Sequence, residues 1–230
     1  IHSKLYQYLD QNPKFCEYVK RFIINKEKIE IREHFAIICC EPIIYTHLLH
    51  SLMYPIYKKH GEEWKFYKAF NNELPSKQEL SKLKGIIIPG SSQSVVSAEE
   101  SGLEWYQKVI KLIQTINKEF TKINLLGICF GAQIIAQALG GKVAKMKDGF
   151  IQSSEILTIK QELYELPYVK QLNLDAAKPL VIAQSHGEQI IELPPNALEL
   201  ASSKSSEIEI FAIGNNTLAF QGHPDLNEGW

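Results

Sequence analysis

Three short runs built mostly from aliphatic residues, 35–40, 85–89 and 123–126, set the narrowest limits on how this chain can fold. A strand with one face in water alternates apolar and polar residues. A run that is apolar at nearly every position needs cover on both faces, as in a parallel sheet flanked by helices. The intervening segments supply that cover. Residues 44–57 suit a first helix and 65–70 a second strand. Ser97 with Glu100 forms a capping-box pattern, opening a helix whose inner side would carry Leu103, Tyr106, Ile110, Ile113 and Ile116. Residues 132–139 form the next helix, closed by Gly140 and Gly141.

Beyond Gly141 the pattern shortens to strand candidates at 155–159, 180–184, 189–193, 208–213 and 217–221. The expectation is an α/β fold of three layers, with a mostly parallel central sheet, flanking helices and an antiparallel strand extension. Residues 1–34 form a helical N-terminal extension, entered at Asn12 and Pro13, with Phe15, Tyr18, Val19, Phe22 and Ile23 on one apolar face. The extension is expected to pack on the domain 35–230, or to serve as a docking helix for a protein partner.

Charge and cysteine usage exclude several functions. The 25 Lys and Arg against 26 Asp and Glu give a net charge of −1, so no basic field attracts nucleic acid. The apolar runs are strand-sized, which argues against membrane insertion. Four cysteines, unevenly spaced and without a CxxC pair, fit neither a disulfide framework nor a thiolate zinc site. Reduced thiols in a cytoplasmic or organellar compartment fit better. Nothing in the motifs calls for a cofactor or a metal. His47 and His50 share a helical face but lack a third ligand nearby.

Chemistry concentrates where the strand at 123–126 meets the following helix. Gly127, Cys129 and Gly131 form a GxCxG pattern there, the nucleophile-elbow arrangement with Cys in place of Ser. The glycines are expected to let the chain turn sharply, leaving the sulfur exposed above the sheet. A helix N-terminus behind it favours a thiolate, and the Phe130 N–H could stabilise an oxyanion. A thiolate needs a base and a group that orients the base. His223 and Asp225, two positions apart after the final strand candidate, would leave an extended backbone on the same side.

These blocks together resemble the class I (triad) glutamine amidotransferases, over roughly residues 35–228. The resemblance rests on Pro89, Gly90, Ser91 and Ser92 after a strand, on the elbow through Gln133, and on Gln221, Gly222, His223, Pro224 and Asp225. A fourth block, Ser185, His186, Gly187 and Glu188, looks like a segment that precedes a strand ending in Leu-Pro, here Leu193 and Pro194. The stand-alone branch is the most similar, with GMP-synthase-like amidotransferase domains and plant γ-glutamyl peptidases. The resemblance implies a flavodoxin-like fold and hydrolysis of a γ-glutamyl amide through a thioester on Cys129. It implies His223 as base, Asp225 as its orienter, Gly90 or Ser91 with Phe130 as oxyanion donors, and Gln133, His186 and Gly187 as substrate-binding residues.

The family usually places Glu where this chain has Asp225, one C–C bond shorter. A bridging water or a backbone shift would then have to restore the contact to His223. The alternative is a catalytically weak or inactive relative that serves as a structural component of a larger assembly. Lys142, Lys145 and Lys147 read as a solvated loop with a small positive rim.

Overall fold

The computed structural model describes residues 33–42, 62–172 and 174–226. The expected extension up to residue 32, the helix at 44–57 and the pair His47 and His50 lie outside the described residues. A strand, β1 (Glu33–Cys39), begins at Glu33, just inside the segment expected to be helical.

The central sheet has eight strands: β1, β2 (Glu62–Lys68), β3 (Leu83–Ile88), β4 (Asn124–Ile128), β7 (Thr158–Ile159), β10 (Ala197–Ser202), β11 (Ile210–Ile213) and β12 (Thr217–Phe220). They run in the order β2-β1-β3-β4-β12-β11-β10-β7. From β2 to β12 every pairing is parallel, and from β12 to β7 every pairing is antiparallel. Two smaller ribbons pair β5 (Lys142–Lys145) with β9 (Glu188–Glu192), and β6 (Ile151–Ile156) with β8 (Val181–His186).

The apolar runs lie at the centre because each feeds two cores. On β1, Ala36 and Ile38 join one cluster while Phe35 and Ile37 join the other. Ile86 and Ile88 of β3 oppose Ile87 in the same way, and Leu125 of β4 opposes Leu126. This is the period of two with both faces covered. One layer holds α2 (Val95–Glu100), α3 (Glu104–Glu119) and α4 (Phe130–Ala138). The other holds α5 (Gln161–Glu165) and α6 (Pro167–Lys170), which seat Leu163, Leu166 and Val169 on the second cluster.

Helix boundaries differ from expectation in instructive ways. Ser97 does not cap a long helix. Ser94 is the N-cap, its hydroxyl accepting from the Ser97 N–H at 2.9 Å. Gly102, at φ 59°, ends α2 in the left-handed region, and a new helix starts at Glu104. Leu103 therefore sits exposed ahead of α3, whose buried side is Trp105, Tyr106, Val109, Leu112, Ile113 and Ile116. The described capping box belongs to Ser76 and Glu79 at the short α1 (Lys77–Leu80). Lys142 and Lys145 are not loop residues: they lie on β5, where Lys142 pairs with Glu192 across the ribbon.

Candidate active site

The site forms at the carboxyl ends of the parallel strands, where an open α/β sheet leaves a crevice. Cys129 stands between β4 and α4 at φ 50° and ψ −108°, a conformation that costs a non-glycine residue about 1–3 kcal/mol. Its backbone is tied on both sides. Its N–H donates to the Phe220 carbonyl at 2.8 Å, and its carbonyl accepts from the Gln133 N–H at 3.0 Å.

The flanking glycines serve close approach rather than turning freedom. A Cβ on Gly131 would lie 1.8 Å from the Ile88 carbonyl oxygen, and one on Gly127 would lie 2.6 Å from Ile135 Cδ1. The left-handed φ of the elbow falls on Cys129 itself. The residue is also only 6% exposed. The thiol therefore lines the floor of a cavity and does not stand open above the sheet, with Sγ 3.9 Å from the Ser185 carbonyl oxygen.

His223 follows β12 and is held by a bridge to β8, its N–H donating to the Ala183 carbonyl at 2.8 Å. Its Nδ1 lies 3.2 Å from Asp225 Oδ1, so the shorter acid reaches the ring directly. Neither a bridging water nor a backbone shift is needed for that contact. Nε2 is left as the nitrogen available to Cys129. Burial disfavours a charged His223, but the negative charge of a Cys129 thiolate and hydrogen bonds to Asp225 and Cys129 outweigh it, holding the imidazole well above its usual range. Gly90 makes room for this meeting, since a Cβ there would lie 2.8 Å from His223 Cε1 and 3.7 Å from Cys129 Cβ.

The Phe130 N–H is the first of α4 and has no acceptor within its helix. Across from it, the loop after β3 is anchored by its own side chains. The Ser91 hydroxyl donates to the Cys40 carbonyl at 3.2 Å, and the Ser92 hydroxyl donates to Glu41 Oε2 at 3.0 Å. The Ser92 N–H also donates to Glu41. Glu41, just past β1, thus holds the loop that presents Gly90 and Ser91.

A cavity of about 430 Å³ opens over Cys129, a size suited to a small ligand. Its walls include Ser91–Ser94, Gln133, Lys145, Phe150, His186 and Gly187. Gln133 is almost fully buried and donates to the Glu188 carbonyl at 2.8 Å and to Gln221 Oε1 at 3.3 Å. The His186 ring is engaged at both nitrogens, by the Glu188 carbonyl at 2.9 Å and by Gln184 Oε1 at 2.8 Å. Burial pushes its pKa down to about 4, so it stands neutral against the wall. Gly187 lies beneath Phe150, whose Cδ2 would be 3.5 Å from an added Cβ.

Two carboxylates near the site, Glu41 and Glu209, escaped the sequence reading, and a third, Glu188, entered it only as the end of the fourth block. Glu188 bonds the Ser94 hydroxyl and accepts from the Val95 N–H at 2.8 Å, joining the cavity wall to the start of α2. Glu41 and Glu188 carried a faint signal, since each falls at or beside a strand end facing the crevice. Glu209 carried none. Among the described residues no cluster of three or more potential ligands could hold a metal ion.

The site thus joins a cysteine elbow at the carboxyl edge of a mostly parallel α/β sheet to a His and an acid that follow the last strand. A family model described as glutamine amidotransferase class-I matches residues 51–229, and the chain belongs to that family. Gamma-glutamyl peptidase 4 of Arabidopsis thaliana is 32% identical over 179 residues, covering 77% of this chain and 68% of that protein. Gamma-glutamyl peptidase 3 of the same plant is 31% identical over 169 residues, 73% of this chain and 65% of that protein. The chain therefore spans about two thirds of the length of these relatives. The crystal structure of a glutamine amidotransferase from Thermotoga maritima superposes with a TM-score of 0.61 at 18% identity, covering 87% of this chain and 78% of that one. At that identity the likeness concerns the fold alone.

Proposed function

We propose that the protein hydrolyses a γ-glutamyl amide, in glutamine or a γ-glutamyl peptide, through a thioester on Cys129. The observation that carries this reading is the direct contact of His223 with Asp225, beside a thiol held in a strained elbow. The names of the plant relatives favour a γ-glutamyl peptide as substrate.

In this mechanism His223 Nε2 takes the thiol proton and the sulfur attacks the γ-carbonyl carbon. The carbonyl π electrons move to oxygen, and N–H groups of Phe130 and of Gly90 or Ser91 stabilise that oxyanion. Each such donor is worth about 3–4 kcal/mol in comparable sites. Collapse breaks the C–N bond, and the imidazolium gives its proton to the departing amine. Water, deprotonated by His223, then attacks the thioester, and the C–S bond breaks to release glutamate and restore the thiol. Gln133, His186 and Gly187 shape the pocket for the glutamyl end. Asp225 keeps Nδ1 protonated and the ring in register.

The second reading, a non-catalytic component of an assembly, rests on the short acid at Asp225, here 3.2 Å from His223, and on residues 1–34 as a docking helix. Its docking extension lies outside the described residues. Glutamate release from glutamine, glutathione and a γ-glutamyl dipeptide, measured with the wild type and with Cys129→Ala, tests the proposal. Release from at least one substrate that vanishes in Cys129→Ala is expected, and no Cys129-dependent release from any of them would overturn it.

A further inference from the structure

Behind the wall that carries His223 runs a chain of buried polar groups that the hydrolytic steps do not use. Glu209, immediately before β11, is 0% exposed. Its Oε1 lies 2.5 Å from Gln184 Nε2 and 2.8 Å from the Ser203 hydroxyl. Its Oε2 accepts from the Gly222 N–H at 3.1 Å, and its main-chain carbonyl accepts from the Gln221 N–H at 2.7 Å. The carboxyl group therefore touches the residue before His223 on one side. On the other side it reaches His186 in the cavity wall through Gln184.

Counting donors along this chain fixes where the protons must be. The Glu188 carbonyl can only accept, so His186 Nδ1 carries a hydrogen. A neutral imidazole then has a bare Nε2, which needs a donor, and the Gln184 amide faces it. An amide can present nitrogen or oxygen to either neighbour with the same heavy-atom positions. If its nitrogen serves His186, its oxygen faces Glu209, and an ionised carboxylate there would set two acceptors against each other. A proton on Glu209 removes the conflict. The opposite amide orientation requires an imidazolium at His186, where burial pushes the pKa down to about 4.

We propose that Glu209 is a positioning residue that holds a proton, bracing the His223 turn through Gly222 and the cavity wall through Gln184 and His186. The catalytic part of this proposal rests on the hydrolytic reading above; the proton assignment does not. Among the described residues the titratable groups around Glu209 are Glu155 from β6 and, one residue removed, His186 behind Gln184 and His223 past Gly222. Glu155 is occupied by the Ser205 N–H and hydroxyl, at 3.0 and 2.9 Å.

Burial raises the Glu209 pKa to about 7, against roughly 4.3 for an unfolded Glu. The native state therefore binds this proton more tightly than the unfolded chain. The stability it brings is present at low pH and lost as the pH climbs through about 7. Above that pH a charge forms in the wall, the Gln184 amide turns to meet it, and His186 Nε2 is left facing an oxygen. Glu209→Gln supplies an amide that donates toward Gln184 and accepts from Gly222 without titrating.

The test compares the wild type with Glu209→Gln over about pH 6 to 8.5, in melting temperature and in kcat on the best γ-glutamyl substrate. The wild type is expected to lose about 4 °C more than the variant across that range. The kcat ratio of variant to wild type should be about threefold higher at pH 8.5 than at pH 6, with KM following no such trend. His223 titrates in both proteins, so the difference isolates Glu209. Melting curves that shift in parallel with pH would overturn the proposal. Imidazole 15N spectra of the wild type near pH 6 decide the question even if the variant does not fold. His186 as a neutral Nδ1–H tautomer supports the assignment, and an Nε2–H tautomer or an imidazolium overturns it. Melting and spectra need no turnover, so a protein without Cys129-dependent hydrolysis would sink the functional reading and leave the proton assignment to be judged separately.

Discussion

The wall of the cavity that carries Cys129 is built from β3, β4 and α4 by steric approach, whereas the wall that carries His223 is built from β8, β11 and β12 around buried polar groups. On the first wall Gly131 lets α4 settle against the Ile88 carbonyl, and Ile134, Ile135 and Ala136 complete an apolar core. On the second, Gln184, His186, Glu209 and Gln221 are all nearly or fully buried. The packing contacts that set the first arrangement involve no titratable group and fix one position. The second is held by hydrogen bonds whose pattern depends on protons, so pH can alter it. Cys129 and His223 thus rest on foundations of different stiffness.

The largest predicted effect falls on the steric wall. Gly131→Ala forces a methyl group into the Ile88 carbonyl and should cost about 4 kcal/mol or more, measured by urea unfolding. A loss under about 1 kcal/mol would mean that α4 can slide and that this wall is softer than described. Next comes Asp225→Asn, which keeps the shape but favours the wrong imidazole tautomer. It should lower kcat by at least roughly a hundredfold while leaving the melting temperature nearly unchanged. Asp225→Glu, with the family's usual acid, sharpens the point: activity within about tenfold of wild type shows that reach is not limiting here.

On the polar wall, Gln184→Leu leaves both Glu209 and His186 without their shared partner. The expected loss is about 2–3 kcal/mol, larger at alkaline pH, where a charged Glu209 keeps only its bonds from Ser203 and Gly222. A loss that does not vary with pH would break the contrast between the two walls. The smallest effect is a distant control. Ser76→Ala removes the capping box at α1 and should cost about 1 kcal/mol with kcat unchanged.

The steric wall was readable in the sequence and the polar wall largely was not. Residues 35–40 and 85–89 are apolar on successive positions, a pattern with few outcomes besides a strand covered on both faces. The GxCxG spacing located Cys129 for the same reason, although the glycines turned out to relieve crowding rather than to make the turn. Strand β5 was hidden because two of its four residues, Lys142 and Lys145, and nearby Lys147 are lysines, and its partner β9 lies far along the chain. Ser97 misled because a correct capping pattern there was pre-empted by Ser94 and then cut short by Gly102. Glu209 falls in the strand candidate 208–213 beside a run of serines and acids, and nothing local marks it as an acid that faces inward. Burial of a charge depends on long-range pairing, which local spacing does not encode.

The proposed hydrolysis runs through a covalent glutamyl intermediate on Cys129, with His223 as base and Asp225 as its orienter. Its most direct test is rapid acid quenching of the enzyme during turnover of a γ-glutamyl peptide, followed by peptide mass spectrometry. A mass gain of one glutamyl group on the peptide holding Cys129, absent in Cys129→Ala and prolonged when deacylation is slowed by Asp225→Asn, is the predicted result. Glutamate release that continues undiminished in Cys129→Ala, with no adduct on that peptide, would contradict it.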